Sequence, residues 1–217
     1  MNIKYYIHKL FIIMASMKRF EADLNQDQLR KKIVNAADKR FRTFGFKKTA
    51  MAEIAEDLGM STSNLYRYFP SKLTIAEAFA LQCFEEKEEM LLSVLDASMS
   101  PSECLKKYAY ALLHYNFQLL NDFPKINEII MALCDENSEL IARKLRAELA
   151  IVNDIIQQGC EQVAWQVEDV EKMGEAIMSS WVMFSTPTFM KHKTLDELEE
   201  RLGTILQLLL TGLEKRN

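Results

Sequence analysis

A run of small polar and aromatic residues, about 60 residues into the chain, has side chains that could contact nucleic acid. Residues 61–68 read STSNLYRY. Hydroxyl and amide groups such as those of Ser63 and Asn64 can hydrogen-bond to base edges or to phosphate oxygens. Lysines precede and follow this run, and cations at such positions attract the phosphate backbone. The combination indicates a nucleic-acid interface.

Apolar spacing around this run predicts short helices that would position it. Residues 26–44 repeat Leu, Ile, Ala and Phe at the spacing of one buried helix face, and Gly45 follows as a stop. Residues 51–58 show the same spacing and end at Gly59, which predicts a helix of about two turns.

The next helix carries the polar run itself. Ser61 or Thr62 can cap its start by accepting a backbone N–H bond, and Pro70 disfavours helical backbone at the residue before it. A short helix, a tight glycine-containing turn and a second short helix form a helix-turn-helix. In that motif the second helix enters the major groove.

The remainder of the chain predicts a longer helical body. Ser71 can cap a helix from Lys72 towards Ala97, whose charged middle, residues 85–89, is interpreted as a solvated face. With six Gly and four Pro, the chain has few turn-forming residues, so we expect an all-α fold of about nine helices. The later predicted helices are 101–121, 124–135, 138–164, 169–186 and 194–214.

Charge is distributed unevenly between these two parts. The formal net charge is −4, which taken alone argues against a uniformly basic nucleic-acid protein. Residues 1–72 contain 14 Lys and Arg against 7 Asp and Glu, whereas the remainder holds 13 basic and 24 acidic residues. A basic headpiece on an acidic body is typical of a chain that binds phosphate with one end only.

Residues 41–72 carry a family resemblance. They read FRTFGFKKTAMAEIAEDLGMSTSNLYRYFPSK, which resembles the DNA-binding domain of TetR/AcrR-type transcriptional regulators. Ala50, Ser63 and Leu73 depart from the family pattern, and Ser63 replaces a common glycine, which should shift base preference. The matching positions are Phe41, Gly45, Phe46, Thr49, Ile54, Ala55, Leu58, Gly59, Ser61, Leu65, Tyr66, Tyr68, Phe69, Ser71 and Lys72.

The resemblance implies roles for matching residues. Thr49 and Lys72 correspond to phosphate contacts, while positions 62–64 correspond to base-facing positions. A capping role is the alternative for Thr49 and Ser61, and a solvated surface for Lys48 and Arg67. The predicted DNA-contacting set is Lys47, Lys48, Thr49, Ser61, Thr62, Ser63, Asn64, Tyr66, Arg67, Tyr68 and Lys72.

The last two predicted helices are suited to pairing two copies of the chain. Their apolar residues recur every three or four positions, as in a helical bundle. A homodimer would place two headpieces on a palindromic site. The alternative is that these side chains pack inside one subunit. The predicted interface residues are Met173, Ile177, Trp181, Phe184, Leu198, Leu202, Ile205 and Leu209.

The middle helices are predicted to enclose a small apolar or amphipathic effector, whose binding would release a repressor from operator DNA. The long helix from Lys72 joins headpiece to body and is the expected lever. The alternative is that these side chains form plain core. The predicted effector-binding residues are Leu112, His114, Tyr115, Asn116, Leu119 and Met131.

Three regions follow: residues 1–22 as an arm or over-long start, 23–71 as the DNA-binding domain, and 72–217 as the effector-binding and dimerisation domain. Residues 1–16 could instead form a weak membrane-surface segment, but their apolar run is too short for a signal peptide, and no later stretch could span a membrane.

We expect a cytoplasmic protein without metal or cofactor. The four cysteines lack zinc or disulfide spacing, and no P-loop, dinucleotide, zinc-protease or hydrolase motif occurs. An enzyme is therefore not expected. The remaining alternative is a helical protein-interaction module without sequence-specific DNA binding.

Overall fold

The structure is a computed structural model that describes residues 25–214, so the predicted arm at 1–22 lies outside the described residues. The predicted all-α fold is confirmed. Within that range the chain forms eleven helices, not nine. They are α1 (25–44), α2 (Met51–Asp57), α3 (Thr62–Tyr68), α4 (Lys72–Ser93), α5 (Pro101–Asp122), α6 (Ile126–Glu136), α7 (Ser138–Glu161), α8 (Val170–Ser180), α9 (Val182–Ser185), α10 (Pro187–Met190) and α11 (Leu195–Leu213).

The two additional helices arise between residues 169 and 190, where one helix was predicted up to 186. The backbone leaves helical geometry at Trp181, with φ −110° and ψ 16°, while the indole is buried. Thr186 is extended, as expected for a residue before proline, and Pro187 begins α10. The predicted helix 169–186 therefore corresponds to α8 and α9, and α10 is a separate short helix after it.

Capping residues set the helix starts. The hydroxyls of Ser71, Ser100 and Thr194 each accept a hydrogen bond from the backbone N–H three residues later. These bonds satisfy amide groups that have no partner inside the helix. Helix α4, however, ends at Ser93 and not near Ala97.

Two hydrophobic cores hold the fold together. The headpiece core contains Phe41, Ile54 and Leu65 from α1, α2 and α3, and it continues into α6 through Ile126 and Ile129. The body core is formed by α5, α7, α8 and α11 with parts of α4, α9 and α10. Since α6 belongs to the headpiece core, the headpiece packs directly against the body.

Polar contacts fix the turn between α1 and α2 against the start of α6. Gly45 has φ +91°, and a Cβ there would approach the Glu128 carboxylate to 2.8 Å. The Lys47 N–H donates to Glu128 Oε2 at 2.9 Å, and Lys125 Nζ donates to the Phe44 carbonyl at 2.9 Å. Glycine is therefore favoured at this position by its left-handed backbone conformation, and the side chains of Glu128 and Lys125 lie close to it.

The charged middle of α4 is not a solvated face throughout, and that prediction was wrong for Lys87. Its side chain is buried and pairs with Glu148 of α7, which also binds Lys144 at 3.1 Å. Burial, together with the charge of Lys144, lowers the pKa of Lys87. Burial alone would raise the pKa of Glu148, but the two lysines outweigh burial and lower it.

No helix among residues 25–214 is both long enough and apolar enough to cross a membrane.

Candidate nucleic-acid interface

Helix α3 presents a polar face that the described part of the chain, residues 25–214, leaves uncovered. Ser61 Oγ accepts from the Asn64 N–H at 3.2 Å and so caps the helix. Leu65 and Phe69 point into the headpiece core, as their spacing predicts. The opposite face of the same short helix is therefore free to approach another molecule.

Six of the predicted DNA-contacting residues lie on α3, and none of the six is buried. Ser63, Tyr66 and Arg67 are exposed, and Thr62, Asn64 and Tyr68 are half-buried. Tyr66 keeps 49% of its surface exposed, and its phenol group can donate and accept hydrogen bonds. These six side chains supply hydroxyl, amide and guanidinium groups suited to bases and phosphates.

Arg30 of α1 fixes the end of α3, and the sequence did not single it out. Its Nη1 donates to the Tyr68 carbonyl at 2.5 Å, and its guanidinium lies 4.2 Å from the Phe69 ring centroid. The contact joins residues 38 positions apart, so no local sequence pattern indicates it. Arg30 therefore holds the C-terminal end of α3 against α1 and helps to fix the orientation of the polar face.

Thr49, predicted to contact phosphate, is turned inwards. It is 3% exposed, and its hydroxyl donates to the Gly45 carbonyl at 2.9 Å. It does not cap α2 either, because the N-cap is Ala50, whose N–H donates to the Glu53 carboxylate at 2.7 Å. The hydroxyl of Thr49 thus stabilises the α1–α2 turn, and a phosphate contact by this group stays a prediction.

Lys72 is also engaged within the protein. Its Nζ donates to the carbonyls of Phe46 at 2.6 Å and Thr49 at 2.8 Å, and lies 4.4 Å from the Phe46 ring centroid. Burial lowers the pKa of Lys72, while the carboxylates of Glu128 and Glu53 oppose that shift. The ammonium joins the start of α4 to the α1–α2 turn.

Lys47 and Lys48 complete the basic surface. Both are exposed, in the turn before α2. The negative charges of two carboxylates of α2 are offset by the guanidinium of Arg40. Its Nε lies 2.5 Å from Asp57 Oδ2, and its Nη1 lies 3.4 Å from Glu53 Oε1. Lys47 and Lys48 therefore add exposed positive charge to the headpiece, and Arg40 offsets the negative charges of Glu53 and Asp57.

The exposed side chain of Lys48 and the internal hydrogen bonds of Lys72 predict different effects when each lysine is replaced. Lys48→Met should reduce the slope of log affinity for DNA against log salt by about one per headpiece, with unfolding unchanged. Lys72→Met should instead destabilise the protein by about 1.5–3 kcal/mol, because bonds from a charged donor are lost. Thermal unfolding and salt titration of DNA binding measure the two effects. A salt slope lowered by Lys72→Met without destabilisation would show that Lys72 acts on phosphate and not on the turn.

The six predicted effector-binding residues do not form one site. On α5, residues two apart lie on opposite faces, so Leu112 is buried while His114 is exposed and 2.5 Å from Glu199. The amide of Asn116 donates to the Leu112 carbonyl at 2.8 Å. The Tyr115 hydroxyl donates to a carbonyl of α4 at 3.2 Å, Leu119 packs against the headpiece core, and Met131 is exposed.

Most of the predicted interface residues belong to the body core. Ile177, Trp181, Phe184, Leu198 and Leu202 are buried within the single chain, so they have no surface to offer a partner. The periodicity identified the apolar face of each helix, and that face packs inside the chain. The partly exposed apolar residues of the predicted set are Met173, Ile205 and Leu209, and the neighbouring Val182 and Leu208 are exposed.

Comparison with known proteins gives consistent matches. The family described as "Bacterial regulatory proteins, tetR family" matches residues 33–79, and "Tetracyclin repressor-like, C-terminal domain" matches residues 101–206. The uncharacterized HTH-type transcriptional regulator YhgD of Bacillus subtilis (strain 168) is 21% identical over 187 residues, covering 82% of this chain and 93% of YhgD.

Solved structures show the same fold. A bacterial regulatory protein in the tetR family from Rhodococcus RHA1 has a TM-score of 0.63 at 18% identity, covering 87% of this chain and 98% of that one. Thermus thermophilus FadR, a transcriptional repressor solved with lauroyl-CoA, has a TM-score of 0.62 at 20% identity, covering 87% and 96%.

Proposed function

Since the chain belongs to the TetR family of DNA-binding transcriptional regulators, we propose that it is a homodimeric repressor whose palindromic operator is released by a small ligand. The exposed polar face of α3 carries this proposal. The same headpiece exposes the cations of Lys47 and Lys48, and the buried residues of α3 fix the direction of its polar face. Base contacts from α3 would specify sequence, and phosphate contacts would supply affinity.

The proposed binding to a palindromic operator requires a second copy of the chain as partner. One headpiece reads only a few base pairs, and a two-fold axis pairs two headpieces with two half-sites. Exposed apolar side chains of α9 and α11 support such pairing. Leu208 is 74% exposed and Val182 is 48% exposed, beside the partly exposed Ile205 and Leu209. We propose that these four residues contribute to the dimer contact.

Release by a ligand requires a connection between body and headpiece. Two connections support it: the ammonium of Lys72 at the start of α4, and the contacts of Lys125 and Glu128 with the α1–α2 turn. A ligand that binds better when these helices are displaced would shift the population away from the DNA-binding arrangement. The lauroyl-CoA complex of Thermus thermophilus FadR supports a ligand in a protein of this fold.

Genome-wide footprinting of DNA bound to the purified protein, followed by gel shifts of the recovered site, tests the proposal. We expect a palindromic site, binding as a dimer by sedimentation, and affinity that falls steeply with salt. Recovery of no preferred DNA site would overturn the repressor and favour the protein-interaction module. A monomer on a single half-site would overturn the dimer alone.

A further inference from the structure

A surface groove of about 780 Å3 lies between α1 and α4. Its apolar lining consists of Val34 from α1, Ala78 and Leu81 from α4, and Phe69 from the residues between α3 and α4. Ala78 and Leu81 are half-buried, so water reaches part of their apolar surface. The volume lies within the range of roughly 300–1,000 Å3 that is typical of binding sites, and a segment of polypeptide could cover this surface.

The charged side chains of the groove are mostly acidic. They are Asp27, Arg30, Lys31, Glu85, Glu86 and Glu89. Four carboxylates and two cations leave an excess of two negative charges. The three glutamates of α4 are exposed, and none of them forms an ion pair with another residue of the range 25–214. The α4 side of the groove therefore favours a cationic occupant.

The residues that precede α1 have the complementary composition. The first twenty residues contain no Asp or Glu, and their basic residues are Lys4, Lys9, Lys18 and Arg19. Residues 10–15 read LFIIMA, an uninterrupted apolar run. Burial of such a run is favourable because it removes apolar surface from water. The segment thus combines cations for the glutamates with apolar side chains for the remainder of the groove.

The groove lies within reach of this segment. Asp27, which lines the groove, comes three positions after residue 24, and the lining residues of α1 extend to Asn35, about 12 Å further along the helix. Residues 10–20 could span up to about 35 Å if extended, so the chain can reverse direction and follow the groove. A covalent connection this short gives an effective concentration on the order of mM.

We propose that the α1–α4 groove binds residues 4–19 of the same chain, with their cations at Glu85, Glu86 and Glu89 and their apolar run against Ala78 and Leu81. Exposed ion pairs are individually weak, so the apolar run supplies most of the affinity and the charges set the direction. Four of the 14 basic residues among the first 72 would then face carboxylates of the protein and not phosphates of DNA.

Carbodiimide cross-linking of the full chain, followed by peptide mass spectrometry, tests the proposal. The reagent joins an amine and a carboxylate that are in contact, with loss of water. We expect amides between Lys4, Lys9 or Lys18 and the three α4 glutamates to be at least about tenfold more abundant than amides to Glu171 and Glu175, which are exposed on α8. Their yield should fall as salt rises. Equal yields at the two helices would overturn the proposal.

An equal mixture of unlabelled and 15N-labelled chains identifies which copy provides the groove. We expect each cross-linked pair of peptides to carry a single isotope, because the segment and the groove belong to one chain. Pairs of mixed isotope would show that a second copy is the occupant and would overturn binding within the chain.

Substitutions in the apolar run test its contact with the groove. Phe11→Ser together with Ile12→Ser should lower the yield of the α4 cross-links by about tenfold, since apolar burial supplies most of the affinity. Both changes lie outside residues 25–214, so the two described cores keep their composition. Val163→Ser, at an exposed position after α7, is the control and should leave the yield unchanged. An undiminished yield in the first variant would overturn the apolar contact.

DNA is the competing occupant for the cations of the segment. Lys4→Gln together with Lys9→Gln should leave the salt dependence of operator binding unchanged. A slope of log affinity against log salt that falls by about two per chain would assign both lysines to phosphates and overturn the groove. Cross-linking needs no operator, so failure of the proposed repressor function would not affect that result.

Discussion

Asn64→Ala should weaken operator binding by about 1–3 kcal/mol per half-site, and by about twice that for a homodimer on a full palindrome. Asn64 lies on the outer face of α3, where its amide can pair with a base edge. Alanine has a higher helix propensity than asparagine, so the headpiece should remain folded. Fluorescence anisotropy with the footprinted operator and with scrambled DNA measures the loss and shows that it is specific for sequence.

Asn121→Ala is the matched control, because it makes the same change at an exposed position of α5 in the body. Its affinity for the operator should equal that of the unmodified chain. If Asn64→Ala binds the operator and the scrambled DNA as the unmodified chain does, then α3 does not read bases through this residue.

Lys87→Met should lower the free energy of unfolding by about 3 kcal/mol. Breaking a buried ion pair from one side costs about 3–5 kcal/mol, because the remaining charge stays in a dry environment. Lys144 still compensates Glu148 in this variant, so the lower end of the range applies. Urea denaturation followed by circular dichroism measures the change.

Two variants separate this explanation from a general loss of packing. Lys87→Met combined with Glu148→Met should recover most of the stability, since an apolar pair replaces the ion pair. Lys106→Met at an exposed position of α5 should change stability by no more than about 0.5 kcal/mol. A double variant as unstable as Lys87→Met alone would contradict the argument that the buried Glu148 charge, left with Lys144 alone, causes the loss of stability.

The helix starts were predictable because capping is local. Ser61 and Ser71 can each be recognised from a hydroxyl residue before an apolar pattern, and each accepts the expected backbone bond. Pro70 and Gly59 likewise act on their immediate neighbours. Sequence therefore predicted the helix-turn-helix and the exposed face of α3 in detail.

Burial by a distant element was not predictable in the same way. Lys87 stands between four glutamates, a pattern typical of a solvated helix face. In the structure its side chain is buried and pairs with Glu148, which lies 61 positions later in the sequence. The periodicity of α8 and α11 correctly marked apolar faces, but it does not state whether the same chain or a second copy covers them. Arg30 and Lys72 form contacts with carbonyls, which any residue offers and no pattern records.

The continuation of the headpiece core into α6 has a consequence for how such regulators can be recombined. Phe123, Ile126 and Ile129 pack with the residues that orient α3, and the side chains of Lys125 and Glu128 lie against Gly45. A headpiece transplanted at residue 71 onto an unrelated body would expose apolar surface and lose the contacts with Lys125 and Glu128. Exchange of DNA specificity between such proteins is therefore expected to proceed by substitution on the outer face of α3, and exchange of whole headpieces only between bodies whose α6 surfaces match.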